Sequence, residues 1–470
     1  MLDVRNPRTG AVDHRIRPVQ RAELREIAAA ARRAQPTWEA CGFDGRAVRL
    51  RGLADRLERD GEAVIQALST DTGRLRIARL EVAGAVASLR GWAAGAAALM
   101  PQEGWVQGRA DPRFRHRNDY RPYPLVGVIS PWNFPVTLSF IDTLPALMAG
   151  ACVIVKPSEV TPRFAEVLMP LVEAAGLSDI LTFVAGAGET GAALVDAVDC
   201  VCFTGSVETG RKVAMQAAGR LIPAMLELGG KDPLIIAPGA DLDAAAALAL
   251  RSSVLATGQA CQSIERVYVA RDDHDAFLDR LVAEARAVRL NRQDMARGHL
   301  GPFIDARQAG VVMAQIEDAV AGGARVLSGG TLEGEGGRWL RPTVLADVTH
   351  DMDVMREETF GPVIPVMAYR DLDEAVALAN DTAFGLSAAV FAADLEAAEA
   401  IAERLHAGAI SLQDAALTGQ YFEAGKQSFG VSGLGPSRMG GQGLLRFFRQ
   451  RAFIANTGAP LSIEDFAEHG

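Results

Sequence analysis

The sequence predicts an α/β fold whose core is a doubly wound, mostly parallel sheet, and three observations carry that prediction. From Leu125 onward, short apolar runs alternate with helical stretches, as repeated βαβ units do. Several runs end in residues of unusual chemistry, and the carboxyl ends of strands are where such sheets bind ligands. At 470 residues the chain is also too long for a single core, so two or three domains are expected.

The elements follow in order. Residues 20 to 100 read as long Ala- and Arg-rich helices, with Leu50, Leu53, Ala54 and Leu57 at helical spacing. They are expected to pack without chemistry of their own. The strand runs are Leu125 to Ser130, Ala151 to Lys156, Ile180 to Ala185, Asp199 to Thr204 and Pro233 to Ala237. Beyond about residue 240 a second strand and helix series includes Arg266 to Ala270 and Val363 to Ala368, with Gly322-Gly323, Gly329-Gly330 and Gly334 to Gly337 as surface turns. Phe447 to Ile454 reads as an edge strand suited to pairing with another subunit.

Composition excludes several classes. Hydrophobic residues make up 49% and charged residues 23%, values typical of a soluble globular protein. A net charge of -10 argues against nucleic acid as the partner, and the basic run Arg109 to Arg117 reads as a solvated or inter-subunit hairpin. No stretch approaches ~20 apolar residues and the first residues do not form a signal peptide, so no membrane partner and a cytoplasmic location are expected. Five cysteines at irregular spacing do not form a disulfide framework, and Cys200 and Cys202 read as packing residues of a buried strand. No metal is expected, because the histidines are scattered and neither cysteine has zinc-site spacing.

Two segments point to covalent chemistry. Cys261 lies in Gly258-Gln259-Ala260-Cys261-Gln262, with small neighbours and no second cysteine nearby, and so reads as a nucleophile. The alternative is an inert buried thiol. Glu227 sits in an apolar run before Gly229 and Gly230; burial would raise its pKa toward that of a general base, while pairing with Lys231 is the structural alternative. After Phe203, Thr204-Gly205-Ser206 supplies glycine, hydroxyl and backbone N–H groups at a strand-to-helix turn, as pyrophosphate binding requires.

Seven segments together resemble the aldehyde dehydrogenase superfamily. They are Pro131-Trp132-Asn133-Phe134-Pro135, Lys156-Pro157-Ser158-Glu159, Phe203-Thr204-Gly205-Ser206, Glu227-Leu228-Gly229-Gly230-Lys231, Gly258-Gln259-Ala260-Cys261, Glu358-Thr359-Phe360-Gly361-Pro362, and Asn380 to Ser387. They occur in that family's order, and Asn6 to Gly10 resembles its amino-terminal strand region. The resemblance implies a Rossmann-type cofactor domain over 1–103 and 123–234, a catalytic domain over 235–430, and bridging segments over 104–122 and 431–470. It implies a dimer or a pair of dimers.

It also implies roles. Cys261 would attack an aldehyde, Asn133 and the Cys261 N–H would hold the oxyanion, and Glu227 would activate the water that hydrolyses the thioester. Lys156, Ser158 and Glu159 would meet the adenosine ribose, Gly205 and Ser206 the pyrophosphate, and Glu358 with Phe360 the nicotinamide end. Trp132, Gly188 and Leu228 would complete the cofactor site. A carboxylate at the ribose favours NAD, with NADP still accommodated by Lys156 and Ser158. Phe134, Leu138 and Ile141 would form an apolar substrate wall, with Ala260 and Gln262 beside the cysteine.

The chain departs from the family pattern at three places. Ala256 replaces an Asn, Gln262 to Arg266 replace smaller residues, and the carboxy-terminal loop carries Tyr421, Lys426, Gln427 and Ser428. The first two changes are expected to lie beside the substrate, and the third to form a polar wall or to face solvent. Substituted aromatic aldehydes and semialdehydes both suit such a tunnel. Two other readings are acyl transfer to coenzyme A, opposed by Glu227, and a catalytically silent binding protein, opposed by the joint presence of Asn133, Glu227 and Cys261.

Overall fold

A computed structural model describes residues 1–102 and 104–468. Residue 103, at the expected end of the first cofactor segment, and the last two residues of the tail lie outside the described residues.

The apolar runs become two sheets. In the first, the strands run in the order Gly433–Leu434, Ala224–Glu227, Cys200–Thr204, Leu125–Ile129, Cys152–Lys156 and Leu181–Phe183. All neighbours are parallel except the first pair. Every residue of the three central strands is buried, which is why these strands read as continuous apolar runs and not as alternation. Cys200 and Cys202 pack here, and all five cysteines are free. The register sets Ile129 opposite both Lys156 and Phe203, so the turns after these strands open on one edge.

The second sheet has the order Arg325–Ser328, Thr343–Ala346, Val363–Tyr369, Ile264–Ala270, Asp232–Ile236, Ala388–Phe391 and Ile410–Leu412. The chain crosses between the sheets at Leu228 to Lys231, where Gly229 and Gly230 allow the tight passage. The boundary therefore falls a few residues before the expected 234, because Asp232 and Pro233 already pair with Ile264 and Arg266.

The tail also divides differently from the expected 431–470 segment. Gly433–Leu434 joins the first sheet, and Leu444 and Phe447 are fully buried in its core. The long tail strand is Phe448–Asn456, which pairs along nine residues with Phe114–Pro122 of the same chain. Val106–Gln107 completes a three-stranded sheet with the tail strand at one edge. Arg115 and Arg117 stack on Trp105 at 4.7 and 5.8 Å, so the basic run is a hairpin. At the amino terminus, Asn6 to Gly10 forms the turn between the strands Leu2–Arg5 and Val12–Ile16.

Of four early helices, Arg21–Ala40 packs on the strands Leu125–Ile129 and Cys152–Lys156, while Gly42–Asp60, Glu62–Thr72 and Leu75–Gly95 pack on one another and on the helices Pro135–Ala149 and Arg163–Ala174. Leu50, Leu53, Ala54 and Leu57 are buried as their spacing predicts. The stretch Leu75–Leu99 is long and apolar enough to cross a membrane by length and composition. It packs on Gly42–Asp60 and Pro135–Ala149, and carries Arg76, Arg79, Glu81 and Arg90.

Asp142 fastens the tail to this core: it is 1% exposed and pairs with both Arg438 and Arg446. Asp142→Ala leaves the buried Arg446 guanidinium without its carboxylate and Arg438 with Glu227 alone, and a loss of about 3–5 kcal/mol is expected in urea unfolding. Asp55→Ala, which removes an exposed partner of Arg90, is expected to leave the same transition unmoved.

Candidate active site

Cys261 follows a turn in an unusual backbone state. After the helix Leu242–Val254, the residues Ala256, Thr257 and Gly258 take φ of 56°, 64° and 68°. Left-handed Ala and Thr are disfavoured, by about 1–2 kcal/mol each, so neighbours must enforce them. Arg74 Nη1 and Gln259 Nε2 donate to the Ala256 carbonyl at 3.0 and 3.2 Å, and Thr257 Oγ1 donates to the Gly301 carbonyl at 3.1 Å. A Cβ on Gly258 would overlap the Gly361 carbonyl. The Gln259 side chain also accepts from the Ile304 N–H at 2.9 Å.

Asn133 reaches the same place from the first sheet. It is buried, its Nδ2 donates to the Gln259 carbonyl at 2.9 Å, and its own carbonyl accepts from Arg74 Nη2. The helix Pro135–Ala149 begins directly after it with no cap of its own. Glu81 supplies the cap, accepting from the Val136 and Thr137 N–H groups at 3.0 Å each. Burial pushes the Glu81 carboxyl up to about 7 and the Arg74 guanidinium down to about 10, each opposed by the other's charge. Leu75–Gly95 and the residue before it thus do more than pack, because they hold both turns.

Glu227 ends its strand facing a cluster of cations. Ser428 Oγ donates to Glu227 Oε2 at 3.0 Å, Lys426 Nζ lies 3.5 Å from it, and Arg438 Nε is 3.9 Å from Oε1. The cations that approach it come from the carboxy-terminal segment and not from the neighbouring Lys231 weighed as its partner. Lys231 does not pair with Glu227; its Nζ donates to Glu265 at 2.9 Å. Burial pushes the Cys261 thiol up to about 11, and Lys426 and Arg438 oppose that shift.

Cys261 and Asn133 share a cleft of about 720 Å³, part of it open to solvent. Trp132, Leu138, Gly205, Ser206, Leu228, Glu358 and Phe360 line it with them. Trp132 and Phe360 meet edge to face at 5.4 Å across its two sides. Gly229 is fixed by crowding, since a Cβ there would fall on the Glu358 carboxylate. Burial, then the charge of Glu265, pushes Glu358 up to about 8. Ser206 caps the helix Val207–Gly219 through the Thr209 N–H. Lys156 Nζ donates to Glu159 at 3.1 Å at the end of the neighbouring strand, Ser158 is buried beside them, and Gly188 starts the helix Gly188–Ala197.

The remaining expected residues stand outside the cleft lining. Phe134 lies under the Arg74 guanidinium at 5.4 Å, Ile141 is half-buried, and Ala260 is buried. Gln262 accepts from Thr418 Oγ1 at 2.5 Å, tying the loop Leu417–Gly419 to the cysteine turn. Of the expected polar wall, Lys426 and Ser428 turn inward to Glu227, while Tyr421 is 56% exposed.

Sequence reasoning missed Arg74, Glu81, Glu265 and Arg438. The available signal was a charge embedded at an apolar position, as Glu81 is between Ala78, Val82 and Ala85. Arg438 is 8% exposed, and its Nη2 also donates to Thr204 Oγ1 at the sheet edge.

The model of the aldehyde dehydrogenase family matches residues 1–453. The chain belongs to the aldehyde dehydrogenase family. This aldehyde dehydrogenase, an oxidoreductase, is 36% identical to a Mycobacterium ulcerans protein provisionally assigned as a succinate-semialdehyde dehydrogenase (NADP+), over 95% of this chain and 88% of that one. A structure provisionally assigned as an aldehyde dehydrogenase, from Anabaena variabilis, superposes with a TM-score of 0.95 at 48% identity, covering 98% of each chain. Betaine aldehyde dehydrogenase of Staphylococcus aureus in complex with NAD+ gives 0.91 at 28% identity, over 98% of this chain and 92% of that one.

The raised thiol sets a pH dependence. Only the thiolate reacts with iodoacetamide, so alkylation of Cys261 in this cofactor-free aldehyde dehydrogenase should rise about tenfold per pH unit between about pH 7 and 10. Mass spectrometry of the Cys261 peptide, resolved from the exposed Cys41, gives the rate; a plateau near neutral pH would contradict the geometry.

Proposed function

We propose that the chain oxidises an aldehyde to a carboxylic acid with NAD(P)+ through a covalent intermediate on Cys261. The observation that carries this reading is the convergence of Cys261 and Asn133 on one cleft, with Glu227 directly before the cleft residues Leu228 and Gly229.

The cleft suits a dinucleotide. Gly205 and Ser206 stand at a parallel-sheet edge and a helix N-terminus, Gly229 keeps Glu358 free of a Cβ, and Lys156 with Glu159 offers a polar end. When bound, the oxidised nicotinamide supplies a hydride acceptor. The Glu159 carboxylate favours a ribose with a free 2′-hydroxyl, and Lys156 is the cation through which a 2′-phosphate would be tolerated.

Cys261 attacks the aldehyde carbon as a thiolate. The Asn133 side-chain amide and the Cys261 N–H stabilise the oxyanion of the thiohemiacetal, and Arg74 keeps the Asn133 turn in place. After oxidation to the thioester, Glu227 takes the proton of the attacking water and Cys261 leaves as thiolate. The Lys426 and Arg438 charges stabilise that leaving group and hold Glu227 ready. Leu138 supports an apolar substrate body, and the inward cations support a semialdehyde as well as a substituted aromatic aldehyde. The tail strand, at the edge of its sheet, supports assembly into dimers or tetramers.

The test is absorbance-monitored reduction of NAD+ and NADP+ across aliphatic, aromatic and carboxylated aldehydes. Cys261→Ala should abolish it, and Asn133→Ala should lower kcat by about 10²–10³. Glu227→Gln should keep a first-turnover burst of reduced cofactor while the steady-state rate falls about 10²–10⁴-fold. Free acid as the product in the presence of coenzyme A is expected; acyl-CoA would overturn the hydrolytic step. Sedimentation at micromolar concentration should give a dimer or tetramer, and a monomer alone would refute the assembly.

A further inference from the structure

Four residues after Cys261 the chain buries a carboxylate, Glu265, at 3% exposure. Such a charge must be fully partnered, and both of its oxygens are. Oε2 accepts from Lys231 Nζ at 2.9 Å and from the Thr359 N–H at 2.7 Å, and Oε1 accepts from the Phe360 N–H at 2.8 Å. Two of these donors are consecutive backbone groups of the turn that presents Glu358 and Phe360 to the cleft.

That turn is not self-supporting. Phe360 has φ of 52°, a left-handed state disfavoured for an aromatic residue. Its other polar groups are held from behind. Thr359 Oγ1 accepts from Lys231 Nζ at 2.9 Å and donates to Gln315 Oε1 at 2.7 Å, and Gln308 Nε2 donates to the Thr359 carbonyl at 2.8 Å. Glu265 and Lys231 do not line the cleft themselves, so any influence on a ligand passes through the turn.

We propose that Glu265 is a positioning residue for the cofactor: its carboxylate clamps the Thr359 and Phe360 N–H groups, fixes Phe360 in its left-handed state, and so aims Glu358 and Phe360 at the nicotinamide half of the dinucleotide. Lys231 supplies that carboxylate's counter-charge. The proposal rests on the cleft being the NAD(P) site. It separates the cofactor's two ends, because the adenosine end lies at Lys156 and Glu159 on the other sheet and has no connection to this clamp.

The test uses the full-length protein. Glu265→Gln can accept only one of the two N–H bonds and leaves Lys231 buried without its counter-charge, so the double variant Lys231→Met with Glu265→Gln is made beside it. Fluorescence titration with NADH should weaken about tenfold in the double variant, while AMP binding stays within about twofold. KM for NAD+ should rise to the same degree, with KM for the aldehyde unchanged. NADH binding within about twofold of the unaltered protein, or AMP weakened as much as NADH, would overturn the proposal. Should neither variant fold, hydrogen exchange in the unaltered protein decides: strong protection of the Thr359 and Phe360 amides without cofactor is expected, and rapid exchange overturns the clamp. If the unaltered protein binds neither NADH nor AMP, the cofactor reading itself has failed, and the exchange result still stands on its own.

Discussion

One buried guanidinium holds the two halves of the active site together. Arg74 bonds the carbonyl of Asn133, at the edge of the first sheet, and the carbonyl of Ala256, in the turn that leads to Cys261 on the second. Hydrogen bonds from a charged donor are worth about 1.5–3 kcal/mol each, and leaving buried carbonyls unpaired costs a similar amount. The left-handed Ala256 and Thr257 exist under that restraint. The charge is itself balanced by Glu81, which caps the helix that starts after Asn133. Together these two buried charges fix the helix, the Asn133 turn and the turn before Cys261 relative to one another.

The same logic recurs at two further points, each time with a buried charge acting from behind a reacting group. Arg438 joins Asp142, Thr204 and the neighbourhood of Glu227, so the tail segment is wired to both the Glu227 carboxylate and the sheet edge. Glu265 and Lys231 support the Glu358 turn in a comparable way. Buried ion pairs contribute little net stability over apolar packing. Their value in this fold is geometric: each fixes a turn whose backbone would relax elsewhere if left alone. The balance also shows in Cys261, where burial raises the thiol and the Lys426 and Arg438 charges pull it back.

Much of this was legible in the chain. Continuous apolar runs such as Cys152–Lys156 announce strands buried on both faces, and the alternation of runs with helices announces parallel pairing, because only crossover connections can join such strands. Cys261 stands out by its small neighbours and Glu227 by the glycines that follow it, whereas Asn133 stands out only through the family resemblance of its segment. The sequence by itself determined the fold class and the family, and singled out the residues from which a reaction is proposed.

Only the tertiary structure decided what surrounds them. Arg74 lies 59 residues from Asn133 and 182 from Ala256, and Lys426 lies 199 from Glu227, separations across which no local pattern carries information. A charge in a helical stretch reads as solvated until packing places it inside. That is why Glu227, weighed as a base or as a partner of Lys231, proved to face Lys426 and Arg438, and why the guanidinium over Phe134 was not foreseen. Periodicity and motif record what each segment is; the electrostatic environment of a group is set by segments that meet only on folding.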